Sequence, residues 1–267
     1  MYKFFFLLLM LSFRLQAQTT PSTEQVIDKM IAAHGGMAQW KATQTVYFDH
    51  IMMFGEGAGR EWWIAREMTD MKTMRTYQDW PFSKSTLVFD GNKTWTTGWP
   101  NQNPPAMMVN NHLTAYSLPW LTKDKNVKTD KLGTSRLPGD TLDYHTLRLS
   151  FLPASGHSPE KYYIIFIHPE TFLMAGWEYN VTYGAFLDLI QMPPQIKAMG
   201  PLRSVIHSYT KAGSIIFPSK YDTFGPDGSL SGTHVLIDFE RNKIFDKSRM
   251  KMPDNAVVDM SSPLRKK

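Results

Sequence analysis

The sequence predicts a mainly β (α+β) protein, a curved and half-open antiparallel β-barrel of about 10–12 strands with helices covering its concave face. Three observations predict this class. From Thr45 onward apolar residues recur with a period of two, which is typical of strands with unlike faces. Turn signals such as Asp90-Gly91 and Pro138-Gly139 separate the apolar runs. Strands do not alternate with helices, so a parallel sheet is not indicated.

The first seventeen residues have the features of an export signal. Lys3 supplies positive charge, residues 4–13 are apolar apart from Ser12, and Ala17 precedes a plausible cleavage point. The apolar run is about half of the roughly 20 residues that a membrane-spanning helix needs. We therefore expect a signal peptide over 1–17, one domain over 18–267, and a mature protein without a transmembrane segment. A buried N-terminal helix or a retained anchor is the alternative.

Composition excludes several classes of function. The chain has no cysteine, so disulfides, a thiol nucleophile and a lipid-anchored N-terminus are excluded. The formal charge of +5 is spread along the chain, apart from a basic end at Arg265, Lys266 and Lys267, so nucleic acid is not an expected partner. The basic end is interpreted as solvated, with weak attraction to anionic lipid as the alternative.

Two helices are predicted. Ser22 and Gln25 form a capping-box pattern before apolar residues at helical spacing, and Gly35-Gly36 ends that run after His34. Pro105 begins a second helix with one apolar side. Strands are predicted elsewhere, at residues 45–54, 60–68, 71–77, 87–89, 94–99, 127–132, 143–152, 161–168, 172–181, 202–210, 215–223 and 233–239.

Residues 183–201 are apolar but irregular around Pro193-Pro194. They are interpreted as a loop packed over the sheet edge or as a flap at the mouth of a pocket.

No enzymatic motif is present, since the sequence lacks G-x-S-x-G, H-E-x-x-H and phosphate-binding loops. His157-Ser158 is a commonplace pair, and the eight histidines are far apart. We therefore predict no enzyme, no cofactor and no metal site. A strongly curled sheet needs its concave face covered or filled, so either large side chains plug the interior or a cavity for an apolar ligand remains. The residues expected to line such a cavity are Phe48, Met52, Trp62, Ile64, Met107, Leu113 and Tyr116.

The order of elements resembles the LolA/LolB-like superfamily of periplasmic lipoprotein carriers. The resemblance rests on an opening helix, Phe89-Asp90-Gly91 followed by Trp95, a lid helix after a Pro-rich loop, and Trp63-Ile64-Ala65-Arg66. It implies that Arg66 latches the lid by bonding to lid backbone. From the residues alone, Arg66 also suits a strand end that reaches Glu67, Asp70 or solvent.

Two functions follow as hypotheses. The first is a non-enzymatic periplasmic carrier or binder of a lipid acyl chain or a lipoprotein, with the outer membrane as a candidate place of peripheral attachment. The alternative is a filled barrel that serves as an interaction module or scaffold for an envelope protein partner, without a small-molecule ligand.

Overall fold

The computed structural model of the protein describes residues 21–55, 60–100, 102–152 and 160–261, with backbone alone for residues 110–113. The predicted signal peptide, the basic end and His157-Ser158 lie outside these residues. The described helices are α1 (Thr23–Ala33), α2 (Met37–Lys41), α3 (Pro105–Leu121), α4 (Gly184–Leu189) and a 3₁₀ turn at Lys247–Met250.

The described strands are β1 (Thr45–Phe54), β2 (Glu61–Asp70), β3 (Thr76–Trp80), β4 (Ser85–Phe89), β5 (Thr94–Thr97), β6 (Val127–Ser135), β7 (Tyr144–Phe151), β8 (Tyr162–Ile167), β9 (Met174–Val181), β10 (Met199–Ala212), β11 (Ile215–Phe224), β12 (Leu230–Arg241) and β13 (Val257–Val258). All pair in one antiparallel sheet with β13 and β6 at its edges. The predicted fold class is confirmed, and the additional strand is the two-residue β13.

The sheet consists of two meanders joined at its centre. Strands β1 to β5 and strands β6 to β12 each follow chain order, and β1 pairs with β12 to connect them. Helix α3 links β5, beside one edge, to β6 at the other edge. Since its residues Tyr116, Leu118 and Trp120 belong to the main core, α3 covers the concave face.

Helix α1 has the predicted capping box. Gln25 N–H donates to Ser22 Oγ at 3.2 Å, and Ser22 N–H donates to Gln25 Oε1 at 2.8 Å. The helix buries Val26, Ile27 and Met30 against the sheet. Helix α3, expected to have one apolar side, is buried at every position from 116 to 120, including the polar Ser117, so its C-terminal part is enclosed on all sides.

The third strand begins later than predicted, because the turn after β2 takes up residues 71–75. The Asp70 carboxylate accepts hydrogen bonds from the N–H groups of Lys72 and Thr73 at 2.9 and 3.2 Å, and Met74 adopts a positive φ of 58°. Apolar Met71 and Met74 made this turn resemble a strand.

Aromatic side chains fill one half of the space between sheet and helices. Trp40 stacks on Trp120 with centroids 4.1 Å apart, and Phe48 meets Tyr116 edge-on at 5.1 Å. Phe217 stacks on Phe239 at 4.0 Å. This half is solid core.

Candidate functional site

The other half of the concave side contains a partly enclosed cavity of about 290 Å³. The boundary between the solid half and the hollow half crosses β1. Its inward residues Val46 and Phe48 belong to the core, whereas Met52 and Phe54 border the cavity. The interior is therefore filled at one end and hollow at the other. Neither sequence-based alternative, solid or hollow, describes it alone.

One side of the cavity, the apolar wall, consists of Met52, Trp63, Trp80, Met107 and Met108. Trp80 is in edge contact with Trp63 and Trp99, at centroid distances of 6.2 and 5.1 Å. Both methionines at 107 and 108 come from the covering helix α3. Flexible thioether side chains beside fixed indoles give a surface that can repack around an apolar guest.

A polar strip on the sheet, next to this wall, consists of Ser204, Tyr221, Thr223, Ser231 and His234 on β10, β11 and β12. His234 is paired with Met52 of the wall, and Trp177 and Tyr179 of β9 line the cavity beyond the strip. The hydroxyl groups of Ser204 and Thr223 are hydrogen-bonded at 2.9 Å. The Tyr221 ring lies flat on the His234 imidazole, with centroids 4.5 Å apart and planes 6° apart. The cavity is thus mostly apolar, with one polar strip along the sheet.

A polar layer separates the cavity from the solid core, and its members are His50, Glu67, Gln78, Tyr116, Tyr221 and His234. His50 Nε2 and His234 Nδ1 are 3.0 Å apart and share a hydrogen bond. The Tyr116 hydroxyl is 3.5 Å from both His50 Nδ1 and the Tyr221 hydroxyl. The fully buried Glu67 carboxylate accepts a hydrogen bond from Gln78 Nε2 at 2.6 Å.

The tyrosines of this layer stay protonated. Burial, with smaller contributions from Tyr221 and Glu67, raises the pKa of Tyr116 well above its usual value. Burial likewise raises the pKa of Tyr221. Both hydroxyls therefore remain hydrogen-bond donors throughout the physiological pH range.

Residues 183–201 contribute to the cavity boundary. They form α4 and a turn-rich stretch between the neighbouring strands β9 and β10, so they lie within the sheet order and not at its edge. Phe186 and Met199 line the cavity, while Leu187 is fully buried. Ile190 and Ile196 remain more than one-third exposed. The segment is partly a helix and it borders the pocket.

The lid helix is attached by the C-terminal segment. The Asp259 carboxylate accepts a hydrogen bond from Ala106 N–H, in the first turn of α3, at 2.8 Å. The preceding residues form β13 on β5, and Ser261 bonds the Tyr183 hydroxyl at 3.0 Å, next to α4. Sequence reasoning missed this attachment, because an Asp followed by Met-Ser-Ser near a chain end carries no distinctive signal.

Four of the predicted cavity residues lie on the inner side of the sheet or of α3. Met52 and Met107 are on the apolar wall, Phe48 is in the solid core, and Tyr116 is in the polar layer between them. The Leu113 side chain lies outside the described residues.

For β2, the structure corrects the inward face by one residue. In the pairing with β1, Trp63 is opposite Met52 and Ala65 is opposite His50, so the odd-numbered residues face inward. Trp62 is 56% exposed, and neither it nor Ile64 borders the cavity. Arg66, predicted as the lid latch, is also on the outer face. Its Nε lies 3.4 Å from Asp49 Oδ2, and its side chain is 56% exposed.

An open antiparallel sheet that curves around a covering helix and an apolar cavity defines the LolA-like fold, and comparison with solved structures confirms this class. A LolA superfamily protein from Nitrosomonas europaea superposes with a TM-score of 0.54 at 8% identity, covering 87% of this chain and 99% of that chain. A DUF1329 family protein from Desulfovibrio piger gives 0.52 at 9% identity, covering 87% and 98%. An outer membrane lipoprotein-sorting protein domain from Vibrio parahaemolyticus gives 0.52 at 7% identity, covering 85% and 94%.

These similarities concern the fold. No family model matches the sequence, and no curated protein matches it. Within the described residues, no helix combines the length and apolar character needed to cross a membrane. In the same part of the chain, no three His, Asp or Glu side chains are grouped so that they could hold a metal ion.

Proposed function

We propose that this protein is a non-enzymatic, exported binder or carrier that holds the acyl chain of a lipid or lipidated protein in its cavity, in the periplasm. One observation carries the proposal: the covering helix and the sheet leave a partly enclosed space bounded on one side by indoles and methionines. The LolA-like fold supports it at the level of architecture. Peripheral attachment to the outer membrane is part of the same proposal.

The cavity volume sets the size of the guest. A cavity of about 150 Å³ accommodates one benzene molecule, so this one has room for roughly twice that, or about a dozen carbon atoms. Burying about twelve methylenes at roughly 0.8 kcal/mol each contributes on the order of 10 kcal/mol before the costs of association. A useful affinity survives several kcal/mol of such costs. One medium-length chain is therefore a feasible ligand without any catalytic group.

The test uses an uncharged naphthylamine dye whose fluorescence rises in apolar surroundings. Met52→Trp adds an indole to the cavity and should reduce dye affinity at least tenfold. Met53→Trp is the matched control, because Met53 is the next residue of β1 and faces outward. Dye binding that is equal in both variants, or absent from correctly folded wild-type protein, contradicts the proposal. Mass spectrometry of solvent extracts from natively purified protein should identify a bound acyl chain.

A second candidate is an interaction module for an envelope protein. It is favoured by the solid half of the interior and by an aromatic pair at the surface, where Trp62 and Phe82 meet edge-on at 4.9 Å while 56% and 60% exposed. If this is the function, Trp62→Ser should release a stable co-purifying protein and leave dye binding intact. If the protein is a lipid carrier, Met52→Trp should instead weaken dye binding and leave any co-purifying protein bound.

A further inference from the structure

A ligand that consisted only of a hydrocarbon chain would not need the polar strip. An acyl tail gains nothing from the hydroxyls of Ser204 and Thr223 or from the imidazole of His234. The two hydroxyls are bonded to each other, but each hydroxyl has one donor and two acceptor sites, so this single bond leaves hydrogen-bonding capacity for a guest. A guest with its own hydrogen-bonding group would use this side of the cavity. The strip is therefore evidence about the ligand's head group.

The charges of the lining side chains limit which head groups the cavity could hold. Among the described residues that line it there is no Lys, Arg, Asp or Glu. A charged head placed inside would lose its hydration without gaining a permanent counter-charge, which costs far more than burying a hydroxyl or carbonyl group. An uncharged head is favoured for this reason.

The polar layer adds a specific argument against a carboxylate. The buried Glu67 carboxyl group lies in that layer, close enough to contribute to the raised pKa of both Tyr116 and Tyr221. The His50–His234 hydrogen bond requires one of its two facing nitrogens to be unprotonated. An anionic head beside His234 would thus lie near a buried carboxyl group, and at most one of the two imidazoles could carry a positive charge.

We propose that the cavity selects an uncharged, single-chain amphiphile whose hydroxyl or carbonyl head bonds to the polar strip, with His234 as the main partner. A monoacylglycerol has this chemistry. The proposal rests on the proposed function, that an acyl chain occupies the cavity, and adds the class of head group. The chain lies along the apolar wall, and the head faces β11 and β12.

The experiment compares two twelve-carbon ligands at pH 8 by displacement of the uncharged dye. Monolauroyl glycerol is uncharged, and laurate carries a carboxylate on the same chain. Monolauroyl glycerol should bind at least tenfold more tightly than laurate. Equal affinities, or tighter laurate binding, would overturn the proposal. If the dye binds and the two ligands displace it with equal affinity, only this inference fails. If neither dye nor ligand binds, the proposed function fails as well.

Variants at His234 test whether this residue causes the preference for monolauroyl glycerol. His234→Phe keeps a planar ring but removes both nitrogens, and should weaken monolauroyl glycerol about tenfold while dye affinity changes less than twofold. His234→Gln keeps a donor and an acceptor and should retain most of the affinity. His207→Phe is the matched control, since His207 is exposed and pairs with Asp222 at 2.9 Å outside the cavity. If His234→Phe does not fold, Ser204→Ala tests the same strip. Unchanged monolauroyl glycerol affinity in the folded variant refutes the role of the strip.

Discussion

The backbone N–H of Met174 donates a hydrogen bond to Nε2 of His34 at 3.0 Å, deep inside the protein. The other ring nitrogen, Nδ1, is 2.9 Å from the carbonyl oxygen of Ile216 and donates to it. These two bonds join the end of α1 to the starts of β9 and β11 and require a neutral imidazole. Burial, opposed only by the bond to Ile216, lowers the pKa of His34 from 6.5 to about 4.

Acidification should therefore destabilise the protein through His34. Between pH 6.5 and 4 the unfolded chain binds a proton at this residue and the folded chain does not, so the free energy of unfolding falls as the pH falls. The contribution that is present above pH 6.5 and lost by pH 4 is roughly 3 kcal/mol. Urea unfolding at pH 7.5 and 4.5 measures it. His34→Gln should be less stable at pH 7.5 but show a smaller loss on acidification than the wild-type protein. An equal loss in both proteins would contradict this assignment.

Gly35 is expected to be irreplaceable by alanine. Its φ is 101°, and an added Cβ would lie 2.3 Å from the carbonyl oxygen of Ser214, so the strained backbone and the clash act together. Gly35→Ala should cost more than 3 kcal/mol of unfolding free energy, against about 1 kcal/mol for Gly36→Ala. Gly36 is the matched control because its φ is 86° and nothing lies within 4 Å of its added Cβ. Similar melting temperatures for the two variants would show that Ser214 can move aside.

Asp259→Ala should loosen the lid. Its carboxylate accepts a hydrogen bond at the first turn of α3, where a negative charge also suits the helix dipole, so the loss should be about 1 kcal/mol of unfolding free energy. Stopped-flow measurement of dye release should show a several-fold higher rate. Asp246→Ala is the control, because Asp246 caps the 3₁₀ turn of the same C-terminal segment. Faster release in both variants would indicate general loosening of the segment and not a lid attachment.

Arg66→Leu should change neither stability nor dye release measurably. Its partner Asp49 is 3.4 Å away and its own side chain is 56% exposed, so the ion pair contributes less than about 1 kcal/mol. Chemical unfolding and stopped-flow release check this expectation. A severalfold change in the rate of dye release would mean that Arg66 acts on the lid, as the resemblance to the carrier superfamily implies, although it lies on the outer face.

Local chemistry explains which parts of the fold were predictable. The capping box at Ser22 and Gln25, the Asp90-Gly91 turn and the start of α3 at Pro105 are all encoded within a few residues. The alternation along β1 was equally clear, because its inward residues are apolar except for His50 and its outward ones include Tyr47 and Asp49.

The inward face of β2 could not be predicted in the same way. Its outer face carries the apolar residues Trp62, Ile64 and Met68, of which Met68 is itself buried. Its inner face carries the polar residues Glu67 and Thr69, which are also buried. The polar side chains are tolerated inside because β3 supplies their partners: Gln78 donates to Glu67, and Thr76 bonds Thr69 at 2.8 Å. Hydrophobicity along one strand contains no information about such a neighbour. The polar layer and the histidine pair were missed for the same reason.

The pairing of β1 with β12 has a consequence for biogenesis. Val46 is opposite Arg241, so the middle of the sheet is assembled from opposite ends of the polypeptide. Chains with such distant contacts fold slowly, and until the last hairpin emerges each half-sheet exposes an unpaired border that invites association with other chains. Synthesis, which delivers the N-terminal half first, would prolong that vulnerable interval, and a chaperone that shields β1 would shorten it.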